Sequence, residues 1–365
     1  MSAPTPQPGI MEIALYQGGA SGIAGRAEVL KLSSNENPFG PPPAAQEALA
    51  RAAASMHLYP STDHGPLRAA IAEVHGLDPD LVICGVGSDE VLQFICQCYA
   101  GVGDEVIHTE HGFSMYPILA RAAGATPVEV PERDRVVDVD AILAAVTEKT
   151  RVVFVTNPGN PTGTMLPDAE ILRLADGLPE HVMLVIDGAY AEYARAYGAG
   201  YDGFASLAAS RPNVVATRTF SKLYGLGGLR VGWGYGSREV IEVLTRVRQP
   251  FNLSGPALAA AEAAVRDRAF AERCVAENAR LRDWITGELR ALGLGCDESE
   301  ANFVLARFRS EEEASSCEAA LRADGILVRK VGGYGFPEGL RITVGDEAGS
   351  ARVVASVKAF MGVDA

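Results

Sequence analysis

Beyond residue 80 the chain alternates short apolar runs with longer stretches whose apolar positions recur every three or four residues. The runs are rich in Val, Ile and Leu. They predict strands at Leu81–Cys84, Glu105–His108, Thr126–Val130, Val152–Thr156, Val182–Asp187, Val214–Thr217 and Val231–Tyr235. The amphipathic stretches between them, such as Val91–Tyr99, Met115–Ala123 and Pro167–Ala175, predict helices, as do Pro43–Met56 and Gly65–His75 ahead of the first run. Alternation of this kind predicts an α/β fold: a mostly parallel seven-stranded sheet sandwiched by helices. From Gly255 the pattern becomes one long helical run reaching Leu292. A second αβ segment follows, with Phe303–Phe308, a helix near Glu311–Ala323, Leu327–Arg329, Leu340–Val344 and a closing helix to Met361. The first forty residues, rich in Gly, Pro, Ser and Asn, read as an extended arm. The expected organisation is an arm over 1–42 packing on the smaller domain or a dimer partner, a large domain over 43–254, and a smaller α+β domain over 255–365.

Composition narrows the function. The 365 residues carry 32 basic and 46 acidic side chains, a net charge of −14, which repels phosphate backbones and argues against nucleic acid. No apolar run is long enough to cross a bilayer, and the N-terminus lacks a basic region followed by an apolar core, so a cytoplasmic protein is expected. The six cysteines are scattered within apolar stretches and form no CxxC pairs, which reads as reduced core thiols. His108 and His111 lack a third ligand nearby or an HExxH pattern, so no metal is expected. Five residues are lysines, at 31, 149, 222, 330 and 358, and all other basic residues are arginines. Chemistry that needs an amine nucleophile therefore has few candidates.

Ligands of parallel sheets gather at the carboxyl ends of the strands. After the first strand comes Gly85-Val86-Gly87-Ser88-Asp89-Glu90, opening a helix. Its free N–H groups make an anion site, and Ser88 or Asp89 serves equally as a plain N-cap. The literal GxGxxG match, Gly198–Gly203, follows no strand and is set aside as a dinucleotide fingerprint. Asn157-Pro158-Gly159-Asn160-Pro161-Thr162-Gly163 is either a turn or a ligand loop with two amide side chains. Asp187, ending a buried strand, needs a cation or donors; a cap or a structural ion pair supplies these as readily as a ligand. The densest stretch runs Thr217-Arg218-Thr219-Phe220-Ser221-Lys222-Leu223-Tyr224-Gly225-Leu226-Gly227-Gly228-Leu229-Arg230. Lys222 follows a strand among apolar and small residues, a setting that lowers an amine's pKa and suits Schiff-base chemistry.

Five ordered pieces, Ser33-Ser34-Asn35-Glu36-Asn37-Pro38-Phe39-Gly40, Asn157–Gly163, Asp187-Gly188-Ala189-Tyr190, Arg218–Arg230 and Gly325–Arg329, together resemble the histidinol-phosphate aminotransferases. These are fold-type I pyridoxal-phosphate enzymes, and the resemblance runs from about Ile13 to Phe360. It implies that Lys222 carries the cofactor as a Schiff base and that Asp187 pairs with the pyridine nitrogen. It further implies that Asn160 and Tyr190 hydrogen-bond the phenolic oxygen. The phosphate is expected on the N–H groups of Ser88 and Asp89, with Ser221, Arg230 and Thr219 completing the cradle. Phe113 matches the ring-stacking position, commonly Tyr in the family. Tyr59 matches a residue that reaches the phosphate in the neighbouring subunit, so the resemblance implies a homodimer with shared sites. Two positions depart from the pattern: Gly188 stands where many relatives have Glu, and Leu15 where Pro is frequent.

For the substrate, the resemblance gives Arg341 as the holder of a carboxylate or of the phosphate, and Arg329 as a second anion holder. Asn35, Tyr16 and Tyr59 are expected to line the pocket. The implied reaction is ping-pong transfer between L-histidinol phosphate and 2-oxoglutarate, in histidine biosynthesis. An aromatic amino-acid aminotransferase on the same scaffold, and a pyridoxal-phosphate decarboxylase of a phosphorylated amino acid, are the alternatives. A regulatory module with a DNA-binding domain does not fit the short arm or the acidic balance.

Overall fold

The computed structural model describes residues 4–15, 18–197 and 201–363. A two-residue strand, β1 (Leu30–Lys31), leads into a large sheet built from β2 (Val82–Gly85), β3 (Glu105–Thr109), β4 (Thr126–Val130), β7 (Thr150–Thr156), β8 (Met183–Asp187), β9 (Val214–Thr219) and β10 (Gly232–Gly236), with a small hairpin, β5 (Glu132–Arg133) and β6 (Val136–Val137), between β4 and β7. The sheet order is β2-β10-β9-β8-β7-β3-β4. Only β10 runs against its neighbours, so the predicted mostly parallel sheet of seven strands is what forms.

Period-two alternation explains why the middle strands carry apolar residues at successive positions. Val153 and Val155 of β7, Leu184 and Ile186 of β8, and Val214 and Ala216 of β9 enter the core on one face. Val152 and Phe154, Met183 and Val185, and Val215 enter the core on the other. Both faces are covered by helices, so both parities must be apolar. A third core surrounds an antiparallel sheet of β11 (Phe303–Arg307), β14 (Phe336–Thr343) and β13 (Arg329–Val331), with β12 (Ile326–Leu327) beside it. The arm belongs to this third core: β1 pairs in parallel with β12, and Leu32 is buried there.

Three expectations are corrected. The helical run from Gly255 is two helices, Gly255–Arg266 and Arg268–Ala291, broken at Asp267. The Asp267 side chain accepts the Phe270 N–H and so starts a new helix, while the apolar pattern continues through one residue of disruption. The arm is not wholly extended; it holds a 3-10 turn at Ile10–Glu12. The helix expected to reach Met56 stops at Ala53.

Next to the sheet edge lies a buried ion pair. Arg218 on β9 is 1% exposed, lies 3.6 Å from Glu192, and donates to the carbonyls of Asp202, Gly203 and Thr217. Its guanidinium occupies the space that a side chain at Gly188 or Gly203 would need, which accounts locally for the small residue after Asp187. Gly203 also sits at φ +62°. Gly203→Ala is expected to cost about 3 kcal/mol or more in urea unfolding, since it strains the backbone and displaces a buried charge. Gly287→Ala, exposed within the Arg268–Ala291 helix with open space around it, is expected to stabilise by about 0.5–1 kcal/mol.

Candidate active site

The carboxyl ends of β7, β8 and β9 stop in register, with Thr156 opposite Asp187 and Asp187 opposite Thr217. Above this edge is a cavity of about 220 Å³, closed by the arm and by the β13–β14 side of the smaller sheet. Every residue to which the resemblance gives a cofactor or substrate role lines it except two. Tyr16 lies outside the described residues, and Tyr59 is on the surface, 82% exposed and stacked on Phe251 at 4.5 Å.

Asp187 is 3% exposed. Its Oδ1 accepts from Thr217 Oγ1 and the Ala189 N–H, both at 3.2 Å, and its Oδ2 accepts from the Tyr116 hydroxyl at 3.0 Å. Burial pushes the carboxyl up to about 6, against these three donors. Lys222, reached through the turn after β9, donates to the Ser34 carbonyl at 3.1 Å and lies 5.6 Å from the centre of the Tyr190 ring. Loss of water, together with the nearby Arg341, brings its amine down to about 8. The cavity therefore holds an amine close to neutrality and a carboxylate that gains from a cationic partner.

One end of the cavity is formed by a helix start. The helix Gly87–Tyr99 begins there, with Ser88 and Asp89 in its first turn. At Gly232 a Cβ would run into the backbone of Gly87 and Ser88, so a glycine lets β10 pass close beside the helix start. Arg230, at φ 55°, donates to Ser221 Oγ and Asp89 Oδ2, each at 3.1 Å. Thr219 Oγ1 accepts the Ser221 N–H. Burial raises the Asp89 carboxyl, while Arg230 and Lys222 pull it down.

The opposite wall comes from the arm and the smaller sheet. Arg329 and Arg341 face each other across β13 and β14. Like charges directly opposite on a sheet repel. Arg341 donates to Asn160 Oδ1 at 2.5 Å and to the Ser33 carbonyl, and lies over Phe303. Asn35 is held by Thr343 and Asn302 and donates from its amide to the Tyr190 hydroxyl at 2.9 Å. Phe113 covers the side nearest Tyr116, edge to face at 5.8 Å.

The cavity also includes residues absent from the sequence-derived set: Gly19, Ser33, Ser34, Thr156, Ala189 and Tyr334. Thr156 ends a strand at the same edge as Asp187, so the strand-end rule reaches it. Tyr334 stands in a turn between β13 and β14 and carries no such signal. Lys222 supplies a sign that is open to measurement. Its folded pKa lies below that of an unfolded lysine, so the folded state pays for the charge at all pH values below about 8. The melting temperature of cofactor-free Lys222→Met is expected above that of the unsubstituted chain at pH 7, with the gain shrinking as pH rises through 8 toward 10.5.

A family model described as aminotransferase class I and II matches residues 27–357. The chain is 65% identical over 356 residues to a histidinol-phosphate aminotransferase of Ruegeria pomeroyi, covering 98% of each. It is 64% identical over 360 residues to that of Dinoroseobacter shibae, covering 99% of each. Its fold matches, with a TM-score of 0.90, 27% identity and 99% coverage of both chains, the crystal structure of histidinol-phosphate aminotransferase from Sinorhizobium meliloti in complex with pyridoxal-5′-phosphate. The expected fold-type I architecture is borne out by that match. Likeness that extends along nearly the whole of both chains, instead of through one motif, makes the assignment: the chain belongs to the class I and II aminotransferases, among the histidinol-phosphate aminotransferases.

Proposed function

We propose that this chain is a pyridoxal-phosphate-dependent aminotransferase that moves the amino group of L-histidinol phosphate to 2-oxoglutarate, giving imidazole acetol phosphate and L-glutamate. The observation that carries the chemistry is the pairing, in one cavity, of the near-neutral Lys222 amine with the buried strand-end carboxylate of Asp187. The cofactor fits the residues present. Asp187 suits a protonated pyridine nitrogen, Asn160 and Tyr190 suit the phenolic oxygen, and Phe113 suits the ring face. The helix start at Ser88 and Asp89, with Thr219, Ser221 and Arg230, suits the phosphate. When bound, pyridoxal phosphate supplies the aldehyde that joins amino groups and the ring that takes up the electron pair left by the α-proton.

Lys222 does the proton work. Its Nζ would take the proton from the substrate's α-carbon and pass it to the carbon that bore the cofactor's aldehyde, a task that needs a pKa near the working pH. An ionised Asp187 would hold the pyridine nitrogen in its protonated form. Tyr190, fixed by Asn35, and the aromatic wall around it exclude stray water. Arg341 and Arg329 hold the substrate's anionic group, for which a planar guanidinium suits carboxylate and phosphate alike. The choice of histidinol phosphate over an aromatic amino acid is supported by the likeness to the Ruegeria and Dinoroseobacter enzymes.

The surface position of Tyr59 beside Phe251 supports a homodimer in which Tyr59 serves the partner's site. All six thiols are free and five are buried, which suits a reducing cytoplasm. No described helix is long and apolar enough to cross a membrane.

L-Histidinol phosphate alone is expected to convert the cofactor's visible band to the amine form within one turnover, and Lys222→Ala is expected to lack that band. Faster conversion by tyrosine would overturn the substrate assignment, and release of CO₂ would overturn transamination. Mixing Lys222→Ala with Tyr59→Ala protein is expected to give activity above the sum of the two parents, approaching about a quarter of the unsubstituted value, because only a mixed dimer assembles an intact site.

A further inference from the structure

We propose that Tyr116 is a positioning residue for Asp187: its hydroxyl, seated on Thr156, keeps the carboxylate ionised and aimed at the cofactor's ring nitrogen. This rests on the pyridoxal-phosphate reading above. No motif singles out Tyr116, which lies in the helix Met115–Ala122 and is 1% exposed. The helix brings it over the face of the sheet toward which Phe154, Thr156, Val185 and Asp187 project by strand parity.

The geometry leaves the hydroxyl little freedom. The ring lies flat on Phe154, at 4.5 Å between centroids and 5° between planes, and stands perpendicular to Phe113 at 5.8 Å. That packing fixes where the phenol oxygen falls, 2.5 Å from Thr156 Oγ1 and 3.0 Å from Asp187 Oδ2. With the phenol donating to the carboxylate, its oxygen is free to accept from Thr156, and a hydroxyl that accepts one hydrogen bond donates the next more strongly. Burial and the Asp187 charge hold the Tyr116 phenol well above its ordinary range, so it remains a neutral donor. Thr217 and the Ala189 N–H serve Oδ1, whereas Tyr116 serves Oδ2.

Among the groups that act on Asp187, Tyr116 is the strongest opponent of the upward push from burial, and Thr217 and Ala189 follow. Asp89, from the helix Gly87–Tyr99, pushes the same way as burial. Tyr190 follows on the turn after β8, with Lys222 and Arg230 around the cavity. A carboxylate without the phenol binds a proton more tightly. The proton it shares with the ring nitrogen then moves toward Asp187, and the ring loses its positive charge. The same phenyl ring packs between Phe154 and Phe113, so removing only the oxygen leaves the aromatic packing in place.

The test uses holoprotein loaded with ¹⁵N-labelled pyridoxal phosphate. In Tyr116→Phe the ring-nitrogen resonance is expected to move from the protonated toward the unprotonated position. Cofactor release on dialysis is expected to be roughly tenfold faster, with its acid limb shifted up by about one pH unit. Thr156→Val, which leaves the phenol but removes its hydroxyl partner, is expected to shift both readouts the same way by a smaller amount. It also carries the test if Tyr116→Phe fails to fold. An unchanged ring-nitrogen resonance and release rate in a folded variant, whatever its melting temperature, would overturn the proposal. If the unsubstituted chain binds no pyridoxal phosphate, the functional reading itself fails, and that outcome is distinct.

Discussion

The structure turns on placing one carboxylate, Asp187, at the end of a strand that is buried on both faces. Isolated, such a charge costs several kcal/mol. Two hydroxyls and a backbone N–H meet it, and each comes from a different part of the sheet edge: Thr217 from the adjacent strand, Tyr116 from the covering helix, Ala189 from the turn that follows. These donors reduce the cost without removing it, which leaves Asp187 receptive to a cation. Lys222 shows the same effect with the opposite sign, as burial drives its amine toward the neutral form. Desolvation of one cavity therefore prepares an acid and a base together.

The second wall obeys a different constraint. Arg329 and Arg341 are forced side by side by strand register, and Arg341 is held over Phe303 and against Asn160. The large sheet thus brings Asp187 and Lys222 to the cavity, and the smaller sheet brings Arg329 and Arg341. The arm joins the two through Asn35, which touches Thr343 and Asn302 on one side and Tyr190 on the other.

Much of this was legible in the chain. The strands could be read because a sheet covered on both sides requires apolar residues at both parities, as in Val152–Val155. Lys222 could be read because few lysines compete with it and its neighbours are apolar or small. The strand-end position of Asp187 marked it, although a cap or ion pair fitted equally well until its partners were visible. Asp267 was not legible as a break, since one capped residue scarcely disturbs a helical pattern. Tyr116 was not legible because an aromatic on an amphipathic helix looks like ordinary core, and only the register of two strands reveals what its hydroxyl meets. The surface position of Tyr59 follows from no local pattern at all.

The pairing of β1 with β12 has a consequence for how the protein is made. Asn35 binds Thr343 across 308 positions of sequence, and Leu30 pairs with Ile326. On a ribosome, the large sheet has all its strands once Gly236 has emerged, well before these partners exist. The arm, first out, must wait unpaired until almost the whole chain is synthesised. The wall of the cavity that bears Asn35 and Ser34 is therefore the last to close, so a truncated or stalled product can hold the sheet edge with Asp187 and Lys222 but has no finished pocket around them.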